Sequence, residues 1–176
     1  MERTVCGEIC TTEEKEQGLD KIQLLDQIKE YFMCPKQDIR TYSPLALAYI
    51  GDCVYELVVR TVIVQDANRA ANDLHKTAVQ YVRAESQAKM VERIKPLLTQ
   101  EESDVLRRGR NASPHTVPKN ASRSDYHKAT GFEALMGYLY LTDQTDRMLE
   151  LIKTGMETLT GKITTSEKCS GKEDSH

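Results

Sequence analysis

The chain has 176 residues, 39% hydrophobic and 29% charged, a balance that suits one folded domain and excludes an intrinsically disordered chain. Its net charge of −3 argues against a general nucleic-acid binder, and no apolar run approaches the roughly 20 residues of a membrane span. Trp is absent and Phe occurs twice, so Leu, Ile, Val, Ala, Met and Tyr must build the core.

Residues 1–18 are polar and aperiodic and read as a flexible leader. They carry acid where a secretory signal needs basic residues and an apolar stretch, so a cytoplasmic location is expected. The five cysteines, Cys6, Cys10, Cys34, Cys53 and Cys169, form no CxxC or Cys/His cluster and read as reduced thiols. Helical spacing of Ile22, Leu25, Ile28 and Phe32 predicts a first helix over about 20–33, stopped by Pro35. Ser43 followed by Pro44 is a cap and first-turn pair that opens an apolar helix over about 45–64. Further helices are predicted over about 68–81, 83–97 and 99–110, the last opened by a capping box of Thr99 and Glu102. Residues 111–123, with Pro114 and Pro118, read as a long loop. Ser124 is the expected cap of a second apolar helix, to 141, and a last amphipathic helix covers about 145–160. Residues 161–176 read as a disordered tail. The fold class is all-α, a single domain over 19–160 of six to seven helices.

Two acids stand out against this pattern. Asp52 lies midway along a helix that is apolar nearly all round and therefore expected to be buried. An ionised carboxylate there costs several kcal/mol unless it is paired or bound to metal. Gly51 beside it costs about 1 kcal/mol against Ala and makes sense where another helix comes close. Glu56 follows at i+4 on the same face. Glu133 has the same character, with Gly131, Ala134 and Gly137 around it. Packing of the two helices would bring the acids together, and a divalent cation relieves their repulsion. Hard oxygen ligands favour Mg²⁺, with Mn²⁺ able to substitute.

Between residues 107 and 128 lie Arg107, Arg108, Arg110, Lys119, Arg123 and Lys128, opposed only by Asp125. Arg107, Arg108, Arg110, Asn111, His115, Thr116 and Lys119 combine cations with polar groups that reach phosphates and 2′-hydroxyls. Aromatic residues that would stack on unpaired bases are missing apart from Tyr126, which favours duplex RNA read by shape. A surface or hydrogen-bonding role is the expectation for His75 and His115, while His127 is a candidate to face phosphate.

Leu45-Ala-Leu-Ala-Tyr-Ile-Gly-Asp-Cys-Val-Tyr-Glu resembles the signature helix of ribonuclease III nuclease domains. Phe132-Glu-Ala-Leu-Met-Gly-Tyr-Leu-Tyr-Leu resembles that family's second acidic helix. Arg108-Gly-Arg-Asn-Ala with His115-Thr-Val-Pro-Lys is similar to the Mini form of the family, which lacks a separate double-stranded-RNA-binding domain. The resemblance spans about 43–160. It implies an all-helical homodimer that hydrolyses double-stranded RNA with a divalent metal, leaves 5′-phosphate ends and matures the large (23S) ribosomal RNA from its precursor. It also implies Asp52 as the catalytic Asp and Glu133 as the metal-ligating Glu. Two acids usual in the family are replaced, by Ala48 and Thr130, which leaves the metal count open, with Glu56 or Asp125 as possible helpers. Two other readings carry different chemistry: an inactive RNA-binding module of the same fold, and an all-α nucleotide pyrophosphohydrolase, which needs a denser run of acids.

Overall fold

Every element described by a computed structural model of the chain, which covers residues 24–112 and 122–160, is helical. The chain divides into two compact units, Met1–Cys34 and Pro35–His176. In the first, α1 (Leu24–Tyr31) ends two residues before the expected limit. Met33 takes a left-handed φ of 48° and the Cys34 N–H donates back to the Lys29 carbonyl at 2.9 Å, which closes the helix ahead of Pro35. Residues 20–23 of the expected helix lie outside the described residues, as do 1–18 and 161–176.

The second unit opens with a 3₁₀ segment, Ile39–Thr41, followed by α2 (Pro44–Asp66), α3 (Ala71–Val82) and α4 (Ala84–Ile94), and continues with α5 (Gln100–Asn111), α6 (Arg123–Leu141) and α7 (Thr145–Thr160). Ser43 caps α2 by accepting from the Ala46 N–H at 3.1 Å, with Pro44 in the first turn. The Thr99–Glu102 capping box forms in both directions. The predicted helix over 83–97 is shorter than expected. Pro96 has no N–H to donate, and the last turn tightens into a 3₁₀ segment, Lys95–Leu97. Ser124 is not the cap of α6: the helix starts one residue earlier, and Ser122 holds the cap position without a side-chain hydrogen bond.

Helix α6 is the centre of this unit, packed against α2, α5, α4 and α7. Its run from Ala129 to Leu139 is buried on all sides except at Glu133, which is half-buried. Tyr55 of α2 meets Phe132 of α6 edge-to-face, with ring centroids 5.0 Å apart, and its hydroxyl donates to the Tyr81 carbonyl. The expectation that α2 is buried all round holds on one side only. Leu47, Ala48, Gly51, Tyr55, Val59 and Ile63 face the core, while Tyr49 is 79% exposed and Leu57 57%. Nearly uniform apolarity along a helix signals that both faces need cover, without saying that one chain supplies it. Among the described residues no helix is long and apolar enough to cross a membrane.

Candidate active site

The site follows from how closely α2 and α6 approach. A Cβ at Gly51 would overlap the Glu133 carbonyl oxygen, and a Cβ at Gly137 would overlap the Leu47 carbonyl oxygen. Backbone lies on backbone, so the short Asp52 side chain reaches the neighbourhood of Glu133 although 81 positions separate them. The Tyr55–Phe132 pair fixes the rotation of both helices three residues after one acid and one before the other.

Among the described residues neither acid is neutralised by a cation. The ion pairs of the described residues include neither Asp52 nor Glu133. Burial, then repulsion from Asp52, raises the Glu133 carboxyl to about 7, partly opposed by a hydrogen bond from the Gln87 amide. Burial and then the neighbouring Glu56 raise Asp52 as well. Glu56 itself is tied to Arg60 at 2.6 Å. Two half-buried carboxyls that repel one another fit a hard cation better than they fit each other. Among the described residues no group of three or more His, Cys, Asp or Glu could hold a metal. Among the described residues, a cation at this place would meet two acidic side chains and would keep most of its water.

A second feature lies at the junction of α5 and α6. Arg110, Asn111, Arg123, Ser124 and His127 line a cavity of about 600 Å³. His127 Nδ1 lies 3.0 Å from the Arg110 carbonyl oxygen, which can only accept, so the proton sits on Nδ1 and Nε2 is left for another partner. Arg110 and Arg123 form no ion pair among the described residues, nor does Arg108. Arg107 is bound to Asp104 at 3.0 Å and Lys128 to Glu92 at 2.7 Å. The structure thus gathers Arg110 and Asn111 with Arg123 and His127, whereas Arg107 lines a neighbouring, smaller cavity and Arg108 is exposed. His115, Thr116 and Lys119 lie outside the described residues.

The ribonuclease III domain model matches residues 45–144, and so spans α2 through α6 with both acids. The chain belongs to the ribonuclease III family. Curated relatives named Mini-ribonuclease 3 include one from Thermoanaerobacter, 46% identical over 70% of this chain and 87% of its own. Another, from Clostridium tetani, is 43% identical over 72% and 86%. A crystal structure of a Fusobacterium nucleatum protein superposes with a TM-score of 0.64 at 28% identity, over 70% of this chain and 98% of that one. The protein is an endoribonuclease of this family, which sets aside the pyrophosphohydrolase reading.

Two features of this ribonuclease III chain bear on the site. Ala48 and Thr130, which stand in for acids, are both buried, and the Thr130 hydroxyl donates to the Tyr126 carbonyl at 3.1 Å. These positions serve packing here and contribute no charge. The other feature is Gln87 of α4, a buried amide that lowers the Glu133 carboxyl and was not singled out by sequence. Its signal is one of register: Gln87 precedes Val91 by four residues and Ile94 by seven, on the stripe that α4 buries.

Proposed function

We propose that the chain is a divalent-cation-dependent nuclease of double-stranded RNA, working as a homodimer with Asp52 and Glu133 as its metal ligands and Mg²⁺ as its cation. The observation that carries this reading is the meeting of two uncompensated acids at a glycine contact between α2 and α6. Asp52 and Glu133 would hold the cation, which would make a nucleophile of water available at neutral pH for attack on the phosphodiester and would offset charge on the phosphoryl oxygens. The chain's own part is to hold Asp52 and Glu133 at fixed separation on two helices locked at their backbones. The low-dielectric surroundings strengthen the attraction of both acids for a cation.

The cavity at the α5–α6 junction supports phosphate binding. Arg110 and Arg123 offer guanidinium groups that form no ion pair among the described residues, and His127 offers its Nε2. His127 precedes Glu133 by six residues, about 9 Å along the helix axis, so one strand can reach both places. His115, Thr116 and Lys119, outside the described residues, are proposed as further RNA contacts. Groups that read phosphate and no base edges make duplex shape the selector. The substrate we propose, the precursor of large-subunit 23S ribosomal RNA handled in the cytoplasm, is what the resemblance to the Mini form implies; the relatives' shared name, Mini-ribonuclease 3, supports that form.

Incubation of a long duplex RNA with Mg²⁺, with and without chelator, tests the reading. Wild type should yield 5′-phosphate fragments that chelator prevents. Asp52→Asn should slow cleavage more than 100-fold, beyond the roughly 10- to 100-fold typical of losing a group behind the ligands. Equal cleavage by both proteins would remove Asp52 from the mechanism.

A further inference from the structure

The half-buried imidazole of His127 lines the α5–α6 cavity with its hydrogen-bonding sense fixed by its neighbours. The ring is held at two places. Nδ1 donates to the Arg110 carbonyl oxygen, 3.0 Å away near the end of α5. The Tyr126 ring meets it edge-to-face, with centroids 6.5 Å apart and planes at 78°. A carbonyl only accepts, so the one N–H of the neutral imidazole stays on Nδ1. Nε2 then carries a lone pair and no hydrogen, and it has no hydrogen-bond partner among the described residues. In that tautomer the ring has nothing to donate to a phosphate oxygen; it needs a donor.

The other groups of the cavity do not share this property. Arg110 and Arg123 only donate, and Asn111 and Ser124 both donate and accept, so neither pair singles out a hydroxyl. Two cations suited to phosphate thus stand beside one group that only accepts. On a nucleic-acid backbone the donor is the ribose 2′-hydroxyl, which sits on the carbon next to the 3′-oxygen and is missing from DNA. Arginines that grip a phosphate bring the adjoining 2′-hydroxyl toward the imidazole.

We propose that His127 is a specificity-determining residue that accepts a hydrogen bond from a ribose 2′-hydroxyl, so that the α5–α6 cavity selects RNA over DNA while its arginines hold the phosphates. This role rests on the reading of the cavity as an RNA surface, and it gives His127 the sugar as its partner in place of the phosphate. A purely structural role, tying α6 to the end of α5, would use Nδ1 alone. Substitution separates the two. His127→Asn can keep an N–H facing the Arg110 carbonyl and has no atom at the place of Nε2, whereas His127→Gln can set an oxygen there.

The test measures binding of the full chain to a short RNA duplex, with chelator, at low salt and at pH 8, where imidazoles are neutral. The duplex is compared with versions that carry one 2′-fluoro nucleotide at each position in turn, since fluorine keeps the A-form sugar and donates nothing. Wild type should lose about 2- to 10-fold in affinity at one or more positions, the worth of one hydrogen bond. His127→Asn should bind the all-RNA duplex more weakly by that factor and lose nothing further at one of those positions. His127→Gln should be sensitive there again. A folded His127→Asn protein that loses as much as wild type at every position overturns the role of His127 alone, as does wild-type binding indifferent to fluorine throughout. No duplex binding by wild type, or unchanged binding by a folded Arg110→Gln/Arg123→Gln double variant, strikes the reading of the cavity as an RNA surface and this role with it.

Discussion

A carboxyl in a half-apolar pocket keeps its proton longer than one in water, and Glu133 turns that into a dependence of stability on pH. Its value of about 7 in the fold stands above the ordinary 4.5, chiefly through burial and then through Asp52. The native state therefore holds a proton that the unfolded chain has released. Stability present below pH 4.5 is lost as pH rises through 7, by about 3 kcal/mol from this group. Asp52 shifts in the same direction and adds to the loss. Metal-free protein should melt at progressively lower temperature between pH 5 and pH 8, and Glu133→Gln should flatten most of that slope. Adding Mg²⁺ at pH 8 should restore stability to wild type and leave Glu133→Gln unchanged, since only a cation bound to the native state shifts the balance. A wild-type melting temperature that does not fall from pH 5 to pH 8 would contradict the burial of this acid. The two acids were legible in the sequence because each interrupts a run of apolar residues, where a charge has no cheap explanation. Gln87 was not, because glutamine is an ordinary helix former and its neighbours Glu85, Lys89 and Glu92 give α4 the look of a solvated helix.

Helix pairs set the site's dimensions, and their contacts divide into those that size alone dictates and those that charge dictates. Gly51→Ala should improve the intrinsic helicity of α2 by about 1 kcal/mol. The added methyl would nonetheless overlap the Glu133 carbonyl and crowd the Gly137 N–H at 2.5 Å. Overlap with backbone cannot be relieved by a rotamer, so a net loss of about 3 kcal/mol is expected, read as a lower urea midpoint. Cation affinity should fall with it, because the two acids are driven apart. The charge-dictated contact is at the start of α5. Glu102, 4% exposed, closes the capping box and takes two hydrogen bonds from Arg147 of α7, at 2.9 and 3.0 Å. Arg147 also donates to the Leu97 carbonyl at 2.7 Å. Arg147→Met would strand a buried carboxylate and should cost about 3 kcal/mol. Because this contact is remote from the acids, Mn²⁺ affinity of the folded variant should stay at the wild-type value. Caps of this kind were readable where one residue type had one place to act, as at Ser43 and Thr99. They misled where two serines, Ser122 and Ser124, stood two apart and propensity could not choose between them. The shortened α4 follows from Pro96, whose missing N–H outweighs the apolar spacing that runs on to Leu97.

At the scale of the whole molecule, the exposed side of α2 is the strongest statement the fold makes about assembly. Leu45, Tyr49, Cys53 and Leu57 recur every four residues on one face and are all exposed, with Val64 beyond them. Solvent contact along such a stripe is unfavourable. Asp52 and Glu56 flank the stripe, so a partner seated on it would lie beside the candidate site. A second copy of the chain is the partner that a two-stranded substrate calls for, because a two-fold axis presents one site to each strand. Sequence pattern recorded the need for cover on both faces of α2, yet it could not separate cover by the core from cover by a partner, since both leave the same apolar residues. Leu57→Lys separates them. A lysine at a position already 57% exposed should change the stability of the single chain by no more than about 0.5 kcal/mol. Buried in a symmetric interface, it would meet its own copy and desolvate two like charges. Sedimentation should therefore give a dimer for wild type and a folded particle near 20.0 kDa for Leu57→Lys. That monomer should retain its helical circular dichroism and lose paired cuts in duplex RNA. Wild type that sediments at 20.0 kDa while cutting both strands would show that the stripe serves another partner and that one chain completes the site.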